Sequence, residues 1–368
     1  MAHSIINDVS LSISDNRYGS TAARPSSADV LRPKTITVDC HAHVQVADAA
    51  RHVAPYHDPA SLPFGRFSTP ETLALNKRQD SDREVALTDP KDRIKVLDAL
   101  GIDIQIVSPA PPQCYYDVPA EIGIDSSRLV NTGVAAFVAA APERFVGLGT
   151  VPLQDPEAAV AELEYVIRKL KFPGVQILTN VNGTELSSPV FEPFWAAADR
   201  LGAVVMLHPL GFTDGARFER HYFANTIGNP LDTTVALHHL IFDGVLERHP
   251  TLKLLAVHGG GYLPSYSGRM DHAWGARKDA RGSLPYSPTT YLRRIYFDSV
   301  VFTHHQLRHL VDTYGADHVL LGTDYPYDMA EYQPVQHVME TDGLSDNDRA
   351  MVAGKSALRL FKINPKAR

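Results

Sequence analysis

Ile36-Thr37-Val38-Asp39-Cys40-His41-Ala42-His43 opens the folded part of the chain with a β-favouring run that ends in two histidines. Residues two apart on a strand face the same side, so His41 and His43 can point together into one space. Three later motifs close apolar runs in the same way. His208-Pro209 follows Ala203–Leu207, His258-Gly259-Gly260-Gly261 follows Leu254–Val257, and Asp324 ends Val319-Leu320-Leu321-Gly322-Thr323. Imidazoles and a carboxylate at strand ends suit a divalent metal such as zinc. They lie far apart in the chain, so only a fold that gathers strand ends can unite them. A (β/α)8 TIM barrel does so.

The rest of the chain reads in the same terms. Eight candidate strands follow in order: Ile36–Cys40, Ile104–Ser108, Phe145–Val151, Gly174–Leu178, Ala203–Leu207, Lys253–Val257, Ile295–Asp298 and His318–Gly322. Most are short apolar runs without strict alternation, as expected of parallel strands covered by helices. Asp89-Pro90 and Asp155-Pro156 each open a helix, with Asp as N-cap and Pro in the first turn. Val160, Leu163, Ile167 and Leu170 then form an apolar stripe at helical spacing. Further helices are predicted near 126–141, 190–201, 232–248, 304–314 and 346–361. Residues 1–34 read as a polar arm and 35–368 as a single barrel domain. Residues 44–88 are an insertion after the first strand, rich in Pro, Asp and Arg and without a clear strand. Its position lays it over the face where βα loops supply substrate contacts. Residues 209–230 form a second long loop, and no internal repeat is evident.

Composition narrows the class. The 368 residues are 44% hydrophobic and 21% charged, with a net charge of −7, which fits an ordinary globular protein. No Lys/Arg-dense block marks a nucleic-acid or anionic-membrane partner. No window approaches a membrane span, and the first residues lack the apolar stretch of a signal peptide, so a cytoplasmic location is expected. Two cysteines, Cys40 and Cys114, suggest no disulfide framework. Strand alternation would turn the Cys40 side chain away from His41, as a buried, inert thiol.

The site residues carry separate expectations. His41, His43, His208 and Asp324 are plausible ligands, since a carboxylate buried without a partner is costly and a shared cation supplies one. His258 can be a fifth ligand, but reads better as a general acid/base beside the cation. The glycines behind it let backbone approach a ligand closely.

These residues resemble the amidohydrolase superfamily, and within it the branch containing aminocarboxymuconate-semialdehyde decarboxylase and related metal-dependent decarboxylases. The resemblance rests on Asp39-Cys40-His41-Ala42-His43, Arg144-Phe145-Val146-Gly147-Leu148-Gly149-Thr150, Phe172-Pro173-Gly174-Val175-Gln176-Ile177, His258-Gly259-Gly260-Gly261, Gly268-Arg269 and Gly322-Thr323-Asp324-Tyr325-Pro326. It runs from about residue 36 to 363. It implies that His41, His43, His208 and Asp324 hold the metal, and that His258 handles the proton of the metal's water. It further implies that Arg269 binds a substrate carboxylate, reaching in from the second subunit of a homodimer. Arg83 roughly matches another substrate-binding arginine, with Arg78 as its competitor. Two departures mark this chain. Leu210-Gly211 stands where the family member named has an aromatic residue after His-Pro, and His41-Ala42-His43 keeps a histidine that some aromatic-acid decarboxylases replace by Glu. Strand four ends in Leu178-Thr179-Asn180, without the bridging lysine of binuclear relatives, so one metal ion is expected.

Non-oxidative decarboxylation of a small unsaturated or aromatic carboxylic acid is the leading expectation. The cation is zinc first, with manganese as the other choice. Either His258 or Asp324 would deliver the proton to carbon. The rival is metal-dependent hydrolysis of a lactone, an amide or a carbon–carbon bond. A purely structural metal site is disfavoured, because such sites are normally closed by four ligands away from an acid/base histidine.

Overall fold

The computed structural model describes residues 31–365. Its wall consists of eight parallel strands: β1 Val38–Val44, β2 Ile104–Pro109, β3 Phe145–Gly147, β4 Gly174–Leu178, β5 Val204–His208, β6 Lys253–Ala256, β7 Tyr296–Asp298 and β8 Val319–Leu320. Hydrogen bonding joins β1-β2-β3 and β4-β5-β6-β7-β8. Two seams close the ring. At one, Gly149 N donates to Gly174 O (3.1 Å) and Gln176 N to Gly149 O (2.8 Å). At the other, Cys40 N donates to Leu321 O and His43 N to Tyr325 O, both at 2.8 Å. The outcome is the (β/α)8 barrel expected.

Two apolar layers hold it. Val38, Ile106, Leu148, Met206, Leu255 and Leu320 fill the inside of the ring. Val107, Val175, Ile177, Val205, Leu207 and Ala256 face the surrounding helices and pack against residues such as Leu97, Val134 and Leu163. Strands buried on both faces are apolar at both parities, which is why the runs lacked alternation.

The insertion is helical rather than open loop: α1 Ala47–Val53, α2 Pro63–Arg66, α3 Pro70–Asp82 and α4 Glu84–Thr88. Its helices were hidden because α3 buries only Gln79 and so carries no apolar stripe. Next comes α5, Pro90–Leu100, capped by Asp89 and ended by Gly101 at φ 72°. That carboxylate accepts from Lys91 N (2.8 Å) and Asp92 N (3.3 Å), a cap worth about 1 kcal/mol. Asp155 does the same for the helix Pro156–Arg168. There the buried face is Ala159, Leu163 and Val166, while Val160, Ile167 and Leu170 lie partly buried at its edge. The reading near 126–141 begins earlier, at Ala120, and that near 232–248 breaks at Gly244 (φ 77°). The stretch 346–361 divides into Asp346–Ala350, a π-helical turn Met351–Lys355 and Ser356–Leu360. A small ribbon, Asn180–Val181 with Thr184–Glu185, went unread.

One deviation places the site. The β1/β2 register shifts between Asp39 and Ala42. Asp39 pairs with Gln105 on the helix side, while His43 pairs with Ser108 on the inner side. Strict alternation therefore fails, and Cys40, expected to turn away from His41, packs in the inner layer with Val38 and Ile106. Of the polar arm, only 31–34 fall within the described residues. No helix among the described residues is long and apolar enough to cross a membrane.

Candidate metal centre

The motifs meet at one end of the barrel. His41 and His43 lie within β1, not after it, and His208 is the last residue of β5. Asp324 follows β8 in a left-handed backbone (φ 60°) fixed by Asp324 N donating to His41 O at 2.8 Å. The donor atoms of His41, His43, His208 and Asp324 all lie within 4.8 Å of one another, and all four residues are buried.

Each imidazole is oriented by its outer nitrogen. His41 Nδ1 lies 2.7 Å from Asp298 Oδ2, His43 Nδ1 lies 3.1 Å from Pro109 O, and His208 Nδ1 lies 2.7 Å from Pro209 O. All three partners are acceptors, so Nδ1 carries the proton and Nε2 presents a lone pair inward. His41 Nε2 then faces His43 Nε2 at 3.1 Å. Asp324 Oδ1 stands 3.1 Å from His43 Nε2 and 3.4 Å from His41 Nε2. His208 Nε2 is buried with no hydrogen-bond partner. Lone pairs turned on one another without a proton between them call for a cation. Bonds of about 2.0–2.2 Å to a tetrahedral ion hold ligands roughly 3.3–3.6 Å apart, close to these spacings. The donor set fits one divalent metal ion.

Charge agrees with geometry. Burial lowers His208 well below the ordinary imidazole value, and the neighbouring rings add to this; burial likewise lowers His43. Burial would also lower His41, but Asp324, Asp298 and Asp39 outweigh it and raise that ring. Burial would raise Asp324, yet the imidazoles around it, His41 first and then His258 and His43, hold it well below the usual carboxylate range.

His258 stands beside this cluster rather than in it. Its Nε2 lies 3.5 Å from Asp324 Oδ2, the oxygen turned away from the two β1 histidines, and it keeps partial solvent access. Its backbone is left-handed (φ 54°) and runs into Gly259 at φ 61°. A Cβ at Gly259 would meet Val301 at 2.4 Å, so this turn requires glycine.

Asp298 was missed in the sequence, although it ends a strand as a carboxylate, the same signal that Asp324 gave. It is fully buried. Oδ2 meets His41, and Oδ1 accepts from Gly259 N at 2.7 Å. One carboxylate thus fixes both a ligand and the turn that presents His258.

The two arginines separate. Arg83 is buried at the start of α4, its guanidinium 4.9 Å above the Tyr327 ring, which stands 5.2 Å from that of His43. Its competitor Arg78 is exposed. Arg269 is exposed on the helix Gly268–Ala276, outside the cluster of this chain.

The amidohydrolase family pattern matches residues 38–363. This chain belongs to the amidohydrolase family. It is 34% identical over 278 residues to 2-amino-3-carboxymuconate-6-semialdehyde decarboxylase of Dictyostelium discoideum, covering 75% of this chain and 77% of that one. The 5-carboxyvanillate decarboxylase of Sphingomonas paucimobilis superposes with a TM-score of 0.80 at 25% identity, over 90% of this chain and all of its own. A dihydroxybenzoic acid decarboxylase from Polaromonas sp. JS666, solved with manganese and 2-nitroresorcinol, shares the fold. Its TM-score is 0.75 at 23% identity, over 89% of this chain and 97% of its own.

Proposed function

We propose that this chain is a metal-dependent decarboxylase that releases carbon dioxide without oxidation from a small aromatic or unsaturated carboxylic acid. The observation that carries the reading is His258, 3.5 Å from the free oxygen of Asp324 and next to three inward-facing imidazole lone pairs. That arrangement pairs a cation site with a proton carrier. The relatives' activities favour carbon dioxide release over the hydrolytic rival.

A divalent ion held by His41, His43, His208 and Asp324 would supply Lewis acidity next to the substrate's polar groups. Arg83 spends Nε and Nη2 on Gln79 O and Oε1 (3.1 and 3.0 Å), and its remaining N–H groups can hold a carboxylate through charge-assisted hydrogen bonds. Arg269 would do the same from a second copy in a homodimer. When the carbon–carbon bond to the carboxylate breaks, its electron pair stays on the ring or chain carbon, and that carbon takes a proton. His258 or Asp324 delivers it, the two being close enough to share one. Asp298 keeps His41 and the His258 turn in place throughout.

Three histidines and one aspartate suit zinc, and the Polaromonas enzyme holds manganese; we take zinc as the first assignment. Cys40 and Cys114 are free and buried, which fits a cytoplasmic enzyme. The test is carbon dioxide release from a panel of hydroxybenzoates, carboxyvanillates and muconates, before and after chelation. Gas evolution that stops with chelator and returns with zinc or manganese is expected. Water incorporation without gas from every member of the panel would contradict the reading.

A further inference from the structure

Behind β1, on its helix side, lies a buried guanidinium that the chemistry above does not use. Arg93, on α5, is fully buried. Its Nη2 donates to His43 O (2.7 Å) and to Ala86 O (2.6 Å), Nε to Ala86 O (3.2 Å), and Nη1 to Gln105 Oε1 (2.8 Å). It also stacks 4.6 Å from the centre of the Tyr325 ring. Gln105 passes the contact on, its Nε2 donating to Asp39 Oδ2 at 2.7 Å. Asp39 in turn accepts from His41 N (3.0 Å), Thr323 N (3.0 Å) and Thr323 Oγ1 (2.7 Å).

These contacts converge on backbone next to the ligands. His43 is held at its own carbonyl and His41 at its own amide. Asp324 is bracketed by Thr323, tied to Asp39, and by Tyr325, under the guanidinium. The Ala86 carbonyl belongs to α4, whose N-terminal flank is Arg83. One side chain therefore touches both the strand that carries two ligands and the helix that follows the candidate carboxylate-binding arginine.

Filling space alone does not account for such a residue. Its hydrogen-bond acceptors are two carbonyls and an amide, and the rings of Tyr325 and Phe137 lie 4.6 and 5.8 Å from it. Burial pulls its pKa down to about 10, so it stays charged although fully buried. An apolar side chain in its place would leave two buried carbonyls and an amide oxygen without this donor. What an apolar side chain cannot do is hold two carbonyls and an amide oxygen in one plane, as the guanidinium fork does.

We propose that Arg93 is a positioning residue that sets the spacing of the metal ligands and ties that spacing to the placement of α4. It rests on the metal reading above and acts through backbone, not through contact with substrate.

The test uses the full chain and Mn2+ alone. Free Mn2+ is followed by electron paramagnetic resonance, and amide exchange is measured at Glu84–Thr88 with and without the ion. Arg93→Lys keeps the charge and loses the fork; Arg93→Met loses both. In the parent protein, Mn2+ is expected to bind and to slow exchange in α4. In either variant that folds, affinity should fall by about 10–100-fold, the range usual for groups that orient ligands, and the ion should no longer protect α4. Parent-like affinity and protection in a folded variant overturn the proposal. So does failure of both variants to fold, which would make Arg93 a requirement of the barrel. If the parent protein itself binds no Mn2+ or Zn2+, the metal reading fails, and that result is distinct from either.

Discussion

β1 separates two buried polar groups that differ in one respect. On its helix side, both oxygens of Asp39 have two donors each, and Arg93 spends its donors on three acceptors. On its inner side, the Nε2 atoms of His41 and His43 face each other, and that of His208 faces nothing. Native interiors satisfy nearly all their buried polar groups. The helix side obeys that rule with protein atoms alone. The inner side obeys it only when a cation is counted, so the contrast marks which cluster is scaffold and which is site.

The largest effect expected from breaking this contrast is loss of the ion. His208→Ala or Asp324→Ala should reduce bound metal to near none and carbon dioxide release to background, measured by elemental analysis and gas evolution. Next comes His258→Asn, which should keep the ion and slow turnover by about 10²–10⁴-fold, the usual worth of a positioned acid or base. Asp298→Asn should weaken metal affinity by about 10–100-fold, read by competition with a chelator.

Metal affinity should also depend on pH. The carboxylates around His41 raise its pKa above the ordinary 6.5 against the effect of burial. Protons therefore compete with the ion for that ring as the pH falls through and below this range, and affinity should drop on the acid side and level off on the alkaline side. The smallest effects concern the metal-free protein. Asp39→Asn turns a filled acceptor into a mismatched amide and should cost about 1–3 kcal/mol by denaturant unfolding. His208→Gln, which removes the unpartnered Nε2 together with the Nδ1 contact to Pro209 O, should change the metal-free stability by about 1 kcal/mol or less.

The eight strands were legible because strands covered on both faces leave apolar runs wherever they occur. The ligands were legible because a histidine or aspartate closing such a run is conspicuous. The register shift at Asp39–Ala42 was not, since it depends on how β1 pairs with β2. Arg93 was invisible for a related reason. Its helix was read correctly from Asp89-Pro90, but nothing local says that a charged residue one turn in will turn inward under β1. The helices of the insertion escaped because their exposed faces carry no periodic apolar signal.

The account stands on convergence of four side chains upon one ion. Anomalous diffraction at the zinc and manganese edges, on protein supplied with these metals, tests it directly. A single peak within about 2.0–2.3 Å of His41 Nε2, His43 Nε2, His208 Nε2 and an Asp324 oxygen is predicted. No peak among these atoms, or an ion coordinated elsewhere while the three imidazoles stay empty, would contradict it.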